Sequence, residues 1–183
     1  NPVKLIAEEK YTRAASGGTG EAKTGGNYAG PIVACHNASQ KGYSQVLWLD
    51  AKEHRYVEEV GTNNIFFVID GKLVTPPLHG TILPGVTRKS VVELAEDLDI
   101  AVEERLISID EIVAGIASGK LTEAFGSGTA AAISPVGTIC YKDKDYVINN
   151  NKTGVWTQKI YDILIGMQYG ELEDKYGWVY KVA

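Results

Sequence analysis

The stretch GGTGEAKTGG, residues 17–26, sets one lysine, Lys23, among closely spaced glycines. Beyond a solvated charge, such a lysine has two chemistries to offer. It can be a point charge for a phosphate or an amine nucleophile toward a carbonyl carbon. The phosphate reading uses a near match to the G-x-x-x-x-G-K-[ST] loop, with Gly17 first, Lys23 and Thr24 last, and Asp50 after VLWL as a magnesium ligand. It fails at Ala22, where wrapping a phosphate requires glycine. It fails again at Gly25-Gly26-Asn27, which disfavour the helix that such a lysine begins.

The amine reading needs partners. A lysine that forms an imine with pyridoxal phosphate is accompanied by an acid for the ring nitrogen, a hydroxyl for the phenolic oxygen and backbone N–H groups for the phosphate. Glu58 or Glu59 at a strand end supplies the first, and Tyr28 the second. The loop-to-helix junction at 85–87, together with Gly128-Thr129, supplies the third. Taken singly, each is an ordinary strand, core or turn residue; only their grouping around one lysine carries weight.

These residues must be placed by the elements around them. Residues 3–14 are β-leaning, and PIVACHNASQKGY predicts a short helix with Pro31 in its first turn and Gly42 as its stop. QVLWLD (45–50), YVEEV (56–60), NIFFVID (64–70) and KLVTP (72–76) predict strands, the last two joined by an Asp70-Gly71 hairpin turn. A helix after Pro84-Gly85 puts Val91, Leu94, Ala95 and Leu98 on one face. Another runs from a Ser108–Glu111 capping box to Gly119. Strands over 121–126 and 131–141 are joined through Ser127-Gly128-Thr129. A last helix has Thr153 as cap, Gly170 as stop and an apolar stripe of Trp156, Ile160, Ile163, Leu164 and Met167. Strands mixed with helices predict one α+β or α/β domain.

With 183 residues, 44% of them hydrophobic, the chain can build a sizeable single core. A net charge of -5 removes the electrostatic drive toward nucleic acid. No apolar run has membrane-spanning length, which points to a soluble, cytoplasmic protein without membrane partners. Cys35 and Cys140 are expected as buried thiols, and His36, His54 and His79 are too scattered for a metal centre. The chain opens Asn1-Pro2-Val3 and has one methionine, Met167, so it reads as a piece of something longer.

The segments GGTGEAKTGGNYA, EEVGTNNIFF, TPPLHGTILPGVTRKS, EAFGSGTAAAISPV and MQYG, in this order, resemble the branched-chain amino-acid aminotransferases of the class IV, fold-type IV pyridoxal phosphate family. The resemblance covers essentially the whole chain. It implies an α+β (mixed α/β) fold, a twisted pseudo-barrel of strands with surrounding helices. It also implies that residues 1–183 are the large C-terminal cofactor-binding domain, without the smaller N-terminal domain. By the same resemblance Lys23 is the Schiff-base lysine, Tyr28 bonds the phenolic oxygen, and Glu59 rather than Glu58 pairs with the pyridine nitrogen. Leu83 packs on the ring, Gly85, Val86, Thr87 and Thr129 serve the phosphate, Thr62 and Gly128 lie beside the cofactor, and Thr129 with Ala130 flanks the substrate carboxylate.

The implied reaction moves the amino group of leucine, isoleucine or valine to 2-oxoglutarate, and the implied assembly is a homodimer. The part of the pocket that the small domain contributes is missing, so the chain alone is expected to have little activity. A D-amino-acid aminotransferase, an aminodeoxychorismate lyase or a non-catalytic domain of the same fold stays open as an alternative. Arg13 near the lysine loop is not assigned. Where some relatives carry a redox-active cysteine pair, Ala131 and Ser134 stand here.

Overall fold

The computed structural model describes residues 1–182. Its strands are β1 (Val3–Ala7), β2 (Gln45–Leu49), β3 (Val57–Val60), β4 (Asn63–Ile69), β5 (Lys72–Thr75), β6 (Val102–Glu104), β7 (Leu121–Gly128), β8 (Ala132–Tyr141) and β9 (Lys144–Val147). Its helices are α1 (Gly26–Ala29), α2 (Ile32–Gln40), α3 (Val86–Asp97), α4 (Ile109–Ser118) and α5 (Val155–Gln168). Six strands are hydrogen-bonded in the order β3-β2-β1-β8-β7-β4, and β4 pairs back onto β3, which closes them into a barrel. β5 and β6 extend from β4, and β9 extends from β8. Closure satisfies the backbone groups that open edges would leave bare.

Period-two alternation works here with both faces buried. On β4, Ile65, Phe67 and Ile69 enter one apolar cluster with Leu47, Leu49, Ile139 and the α4 residues Ile109 and Ile112. Phe66 and Val68 enter the other, under α3 and α5, with Val91, Leu94, Ile160, Leu164 and Met167. Phe66 stands in register with Phe125 of β7, and their rings stack at 5.1 Å between centroids. The Asp70-Gly71 turn has φ of +48° and +71°, the conformation of a two-residue hairpin turn. Ser108 accepts a hydrogen bond from Glu111 N, and Gly119 closes α4 in the left-handed region, as the capping pattern predicts.

Several local expectations are corrected. Residues 3–14 form a strand only to Ala7; beyond it the Glu8 carboxylate accepts from the N–H groups of Lys10 and Tyr11 and turns the chain. One helical turn, α1, follows the lysine loop despite its glycines, and Pro31 caps α2 rather than lying inside it. β7 continues through Ser127 and Gly128, which pair with Ile133 and Ala132. The short strands β6 and β9 were not expected. Thr153 does not cap α5: the residue before the helix is Gly154, and the cap is the Glu123 carboxylate of β7, which accepts from the N–H groups of Trp156 and Thr157. Cys35 is exposed on α2, and only Cys140 is a buried thiol.

Candidate active site

The site is organised by the β3–β4 hairpin, in which Glu59 faces Asn64 and Val60 faces Asn63 across a turn at Gly61 and Thr62. This cross-strand pair holds the peptide of Leu83 in the loop 76–85. Leu83 N donates to Glu59 Oε1 at 2.8 Å, and Asn64 Nδ2 donates to the Leu83 carbonyl at 2.8 Å. Against β2, Leu47 faces Val60 and Leu49 faces Val57, so β3 carries one extra residue in the stretch that includes Glu58 and Glu59. Such a bulge re-aims side chains and suspends strict alternation. The two carboxylates still end in different clefts.

Glu59 is 3% exposed. Its Oε2 lies 3.1 Å from Arg13 Nε, an ion pair without a directed hydrogen bond, since that N–H finds no acceptor. Burial pushes the Glu59 carboxyl up to about 7, against the opposing pull of Arg13, the Leu83 N–H and, further off, Lys23. The neighbouring Glu58 adds to the rise. One oxygen of a buried acid is thus committed to the backbone, while the other accepts no hydrogen bond among the described residues.

Lys23 is exposed at the mouth of the adjoining cavity of about 240 Å³, with its Nζ 5.7 Å from the ring centroid of Tyr28. Leu83 and Thr62 line this cavity and also the small recess of about 20 Å³ that holds Tyr28, Glu59 and Arg13, so the two are parts of one cleft. Gly85, Val86 and Thr87 line it together with Ser127, Gly128 and Thr129. Thr87 Oγ1 donates to the Gly128 carbonyl at 3.2 Å and ties the two segments together.

Gly85 is the N-cap of the 12-residue α3, which has no side-chain cap and no acid in its first turn. The first amide groups of this helix therefore keep their donors and the positive end of the dipole for an anion. Gly85 itself lies against Asn64, whose Oδ1 would stand 2.3 Å from a Cβ placed there. An amine, an acceptor oxygen on a buried carboxylate and an uncapped helix start thus surround one cleft, which fits an aldehyde-bearing, protonated heterocycle with a phosphate arm.

Ten of the predicted residues line the cleft: Lys23, Tyr28, Glu59, Thr62, Leu83, Gly85, Val86, Thr87, Gly128 and Thr129. Ala130 lies exposed in the β7–β8 turn beside Thr129 and lines neither part. Glu58 belongs to another cleft with Pro76, Pro77 and His79. Arg13, which the sequence places near the lysine loop without a role, lies in the recess, and Asn64 and Ser127 are among the lining residues that sequence reasoning did not select. Ser127 lines the cavity, and its Oγ is buried without a hydrogen-bond partner among the described residues. Asn64 left a signal as a polar residue heading the apolar run IFFVI.

A family model described as amino-transferase class IV matches residues 3–139. The chain belongs to the class IV aminotransferases. This class IV chain is 58% identical over 177 residues to the "Probable branched-chain-amino-acid aminotransferase" of Staphylococcus aureus (strain N315), covering 97% of the chain and 49% of that protein. Among solved structures it is similar to the branched-chain amino acid aminotransferase from Escherichia coli, with a TM-score of 0.82 and 32% identity, over 97% of the chain and 56% of that structure. It is also similar to a T.th. branched-chain amino acid aminotransferase with pyridoxamine 5'-phosphate, with a TM-score of 0.83 and 29% identity, over 97% and 55% of the two chains. The class IV chain thus spans about half the length of the curated relatives it matches. The mixed α/β barrel is the fold these structures share with it.

Proposed function

We propose that this chain is the cofactor-holding half of a pyridoxal phosphate-dependent transaminase whose parent protein moves the amino group of leucine, isoleucine or valine to 2-oxoglutarate. The observation that carries the reading is the single cleft shared by Lys23, Glu59 and the uncapped start of α3. The names of the relatives support the substrate class, and the half-length match supports a parent with a further domain. A homodimeric, cytoplasmic parent is part of the same proposal.

Lys23, Tyr28, Glu59 and the 85–87 backbone would hold the cofactor, with Leu83 beneath its ring, Thr62 beside it and Gly128 and Thr129 at its phosphate. When bound, pyridoxal phosphate supplies an electron-withdrawing ring that accepts the electron pair left at the amino acid's α-carbon. Glu59 Oε2 would accept the ring N–H. A cation brought beside it would oppose the rise that burial causes and favour the ionised carboxylate. Lys23 Nζ would be the base that takes the substrate's α-proton and gives it back at the neighbouring carbon, a role that asks for a free amine held near both. Tyr28 would donate its hydroxyl hydrogen bond to the phenolic oxygen, and the first amides of α3 would offset phosphate charge. Thr129 and Ala130 would orient the substrate carboxylate.

Borohydride reduction after loading with pyridoxal phosphate, followed by peptide mapping, tests the reading. A label on Lys23 is expected; a label confined to other lysines refutes it. Amino-acid profiling of the parent then separates leucine, isoleucine and valine from D-amino acids, and a chorismate-derived amine from both. The chain alone should turn over little, since Lys23 is exposed and Tyr28 is 42% exposed, leaving the cleft open to water.

A further inference from the structure

Glu58 and Glu59 are adjacent buried carboxylates, and both reach the loop 76–85 by different routes. Glu59 binds the N–H of Leu83. Glu58 Oε1 accepts the hydroxyl proton of Thr81 at 2.6 Å. The carbonyl of Thr81 in turn accepts from Arg13 Nη2, which also donates to the Gly20 carbonyl at 3.2 Å, while Arg13 Nε stands 3.1 Å from Glu59 Oε2. A ring of contacts therefore runs Glu58, Thr81, Arg13, Glu59. Its packing is close: a Cβ on Gly20 would lie 2.5 Å from the Thr81 oxygen.

We infer that Glu58 is a positioning residue for Glu59: it orients Thr81, and Thr81 holds Arg13 against the Glu59 carboxylate. The inference rests on the reading of Glu59 as the acid that meets the cofactor ring. Glu58 does not touch that cleft. It closes the end of a separate cavity of about 220 Å³ with the apolar walls Pro76, Pro77 and Leu106. Its Oε2 is buried with no hydrogen-bond donor among the described residues, an arrangement that costs stability and so points to a role for the carboxylate. What it holds is Thr81.

The charges that bear on the pair are few. Glu58 faces Arg13, Asp50 and His79, and Glu59 faces Arg13, Glu58 and Lys23. Asp50 is occupied by the backbone N–H groups of Lys52, Glu53, Arg55 and Tyr56. Arg13 is therefore the cation common to both glutamates, and its position sets the balance. Two effects of Glu58 on Glu59 are separable: its own charge, and its grip on Thr81. Glutamine removes the charge and keeps an acceptor for the Thr81 hydroxyl. Alanine removes both.

The test is the titration of the Glu59 carboxyl carbon by NMR, in the chain with carboxyl-labelled glutamate and no cofactor, assigned by its loss in Glu59→Gln. If Thr81 and Arg13 are held by Glu58, Glu58→Ala titrates Glu59 about one pH unit or more above Glu58→Gln, because an opposite charge within 4–6 Å is worth about that much. Thr81→Val, which should fold even if Glu58→Ala does not, raises the midpoint similarly over the unmodified chain, and Thr81→Ser restores it. Superimposed titrations of the alanine and glutamine variants overturn the inference, as does a Thr81→Val titration that matches the unmodified chain. No cofactor enters this measurement, so its failure leaves the Lys23 trapping experiment untouched, and failure of the trapping leaves this coupling measurable.

Discussion

Glu123 of β7 and Thr157 of α5 meet in a double contact: Glu123 Oε2 accepts from both the backbone N–H and the hydroxyl of Thr157, each at 2.8 Å. The other oxygen accepts from Trp156 N at 3.1 Å. A barrel strand thus caps a helix distant in sequence and joins the helix dipole to a buried charge. Glu123→Ala leaves those first-turn donors without acceptors and should destabilise the chain by about 2–4 kcal/mol. Urea denaturation checks this, with the slope unchanged; a loss under about 0.5 kcal/mol would contradict the cap.

The Glu59 carboxyl gives the chain a pH dependence of known sign. With a folded value of about 7, above the ordinary carboxylate range, the folded state binds a proton that the unfolded chain has already lost. The stabilising contribution is complete below about pH 4.5 and is lost as pH rises through 7, for a total of up to about 3 kcal/mol at roughly 1.4 kcal/mol per unit. Glu58, also raised by burial, acts in the same direction. Glu59→Gln should flatten the fall in stability between pH 4.5 and 7.5; an unchanged slope would show that Glu59 does not carry it.

Lys23 lies exposed at the mouth of the cleft and makes no ion pair among the described residues. Lys23→Ala should therefore alter folding stability by less than about 0.5 kcal/mol. The same substitution should abolish borohydride-fixed pyridoxal phosphate at this position. Thermal unfolding and mass mapping on one sample separate the two effects, and a large loss of stability would assign Lys23 a structural role.

Gly85→Ala tests the approach of the loop to β4. The backbone there, at φ -66°, accepts alanine, but the new Cβ would come 2.3 Å from Asn64 Oδ1. Asn64 must then release the Leu83 carbonyl, an overpacking cost of about 1–3 kcal/mol. Weaker retention of phosphate or pyridoxal phosphate by equilibrium dialysis, with Lys23 still reactive, is the expected result.

The amino-acid order by itself determined most of the elements and the kinds of chemistry available. Alternating apolar residues mark β4, the Asp70-Gly71 pair marks its turn, and the Ser108–Glu111 spacing marks α4, because these signals depend on local backbone geometry alone. The segments around Lys23, Glu59, Val86 and Thr129 were legible as one constellation through family resemblance, and ten of those residues share the cleft.

What only the tertiary structure decided was who meets whom across distance. The cap of α5 comes from Glu123 rather than the adjacent Thr153, since a buried carboxylate with two free oxygens outcompetes a neighbouring hydroxyl once the barrel brings it near. Arg13 lies 46 residues before Glu59 in a segment that no periodicity marks, yet the turn after Glu8 and barrel closure carry it to that carboxylate. Burial, which pushes the Glu59 carboxyl to about 7, belongs to the folded surroundings and not to the residue. Local spacing encodes turns and the capping box of α4; the cap of α5 and the energies of buried charges depend on contacts and water exclusion that exist only after the strands have closed.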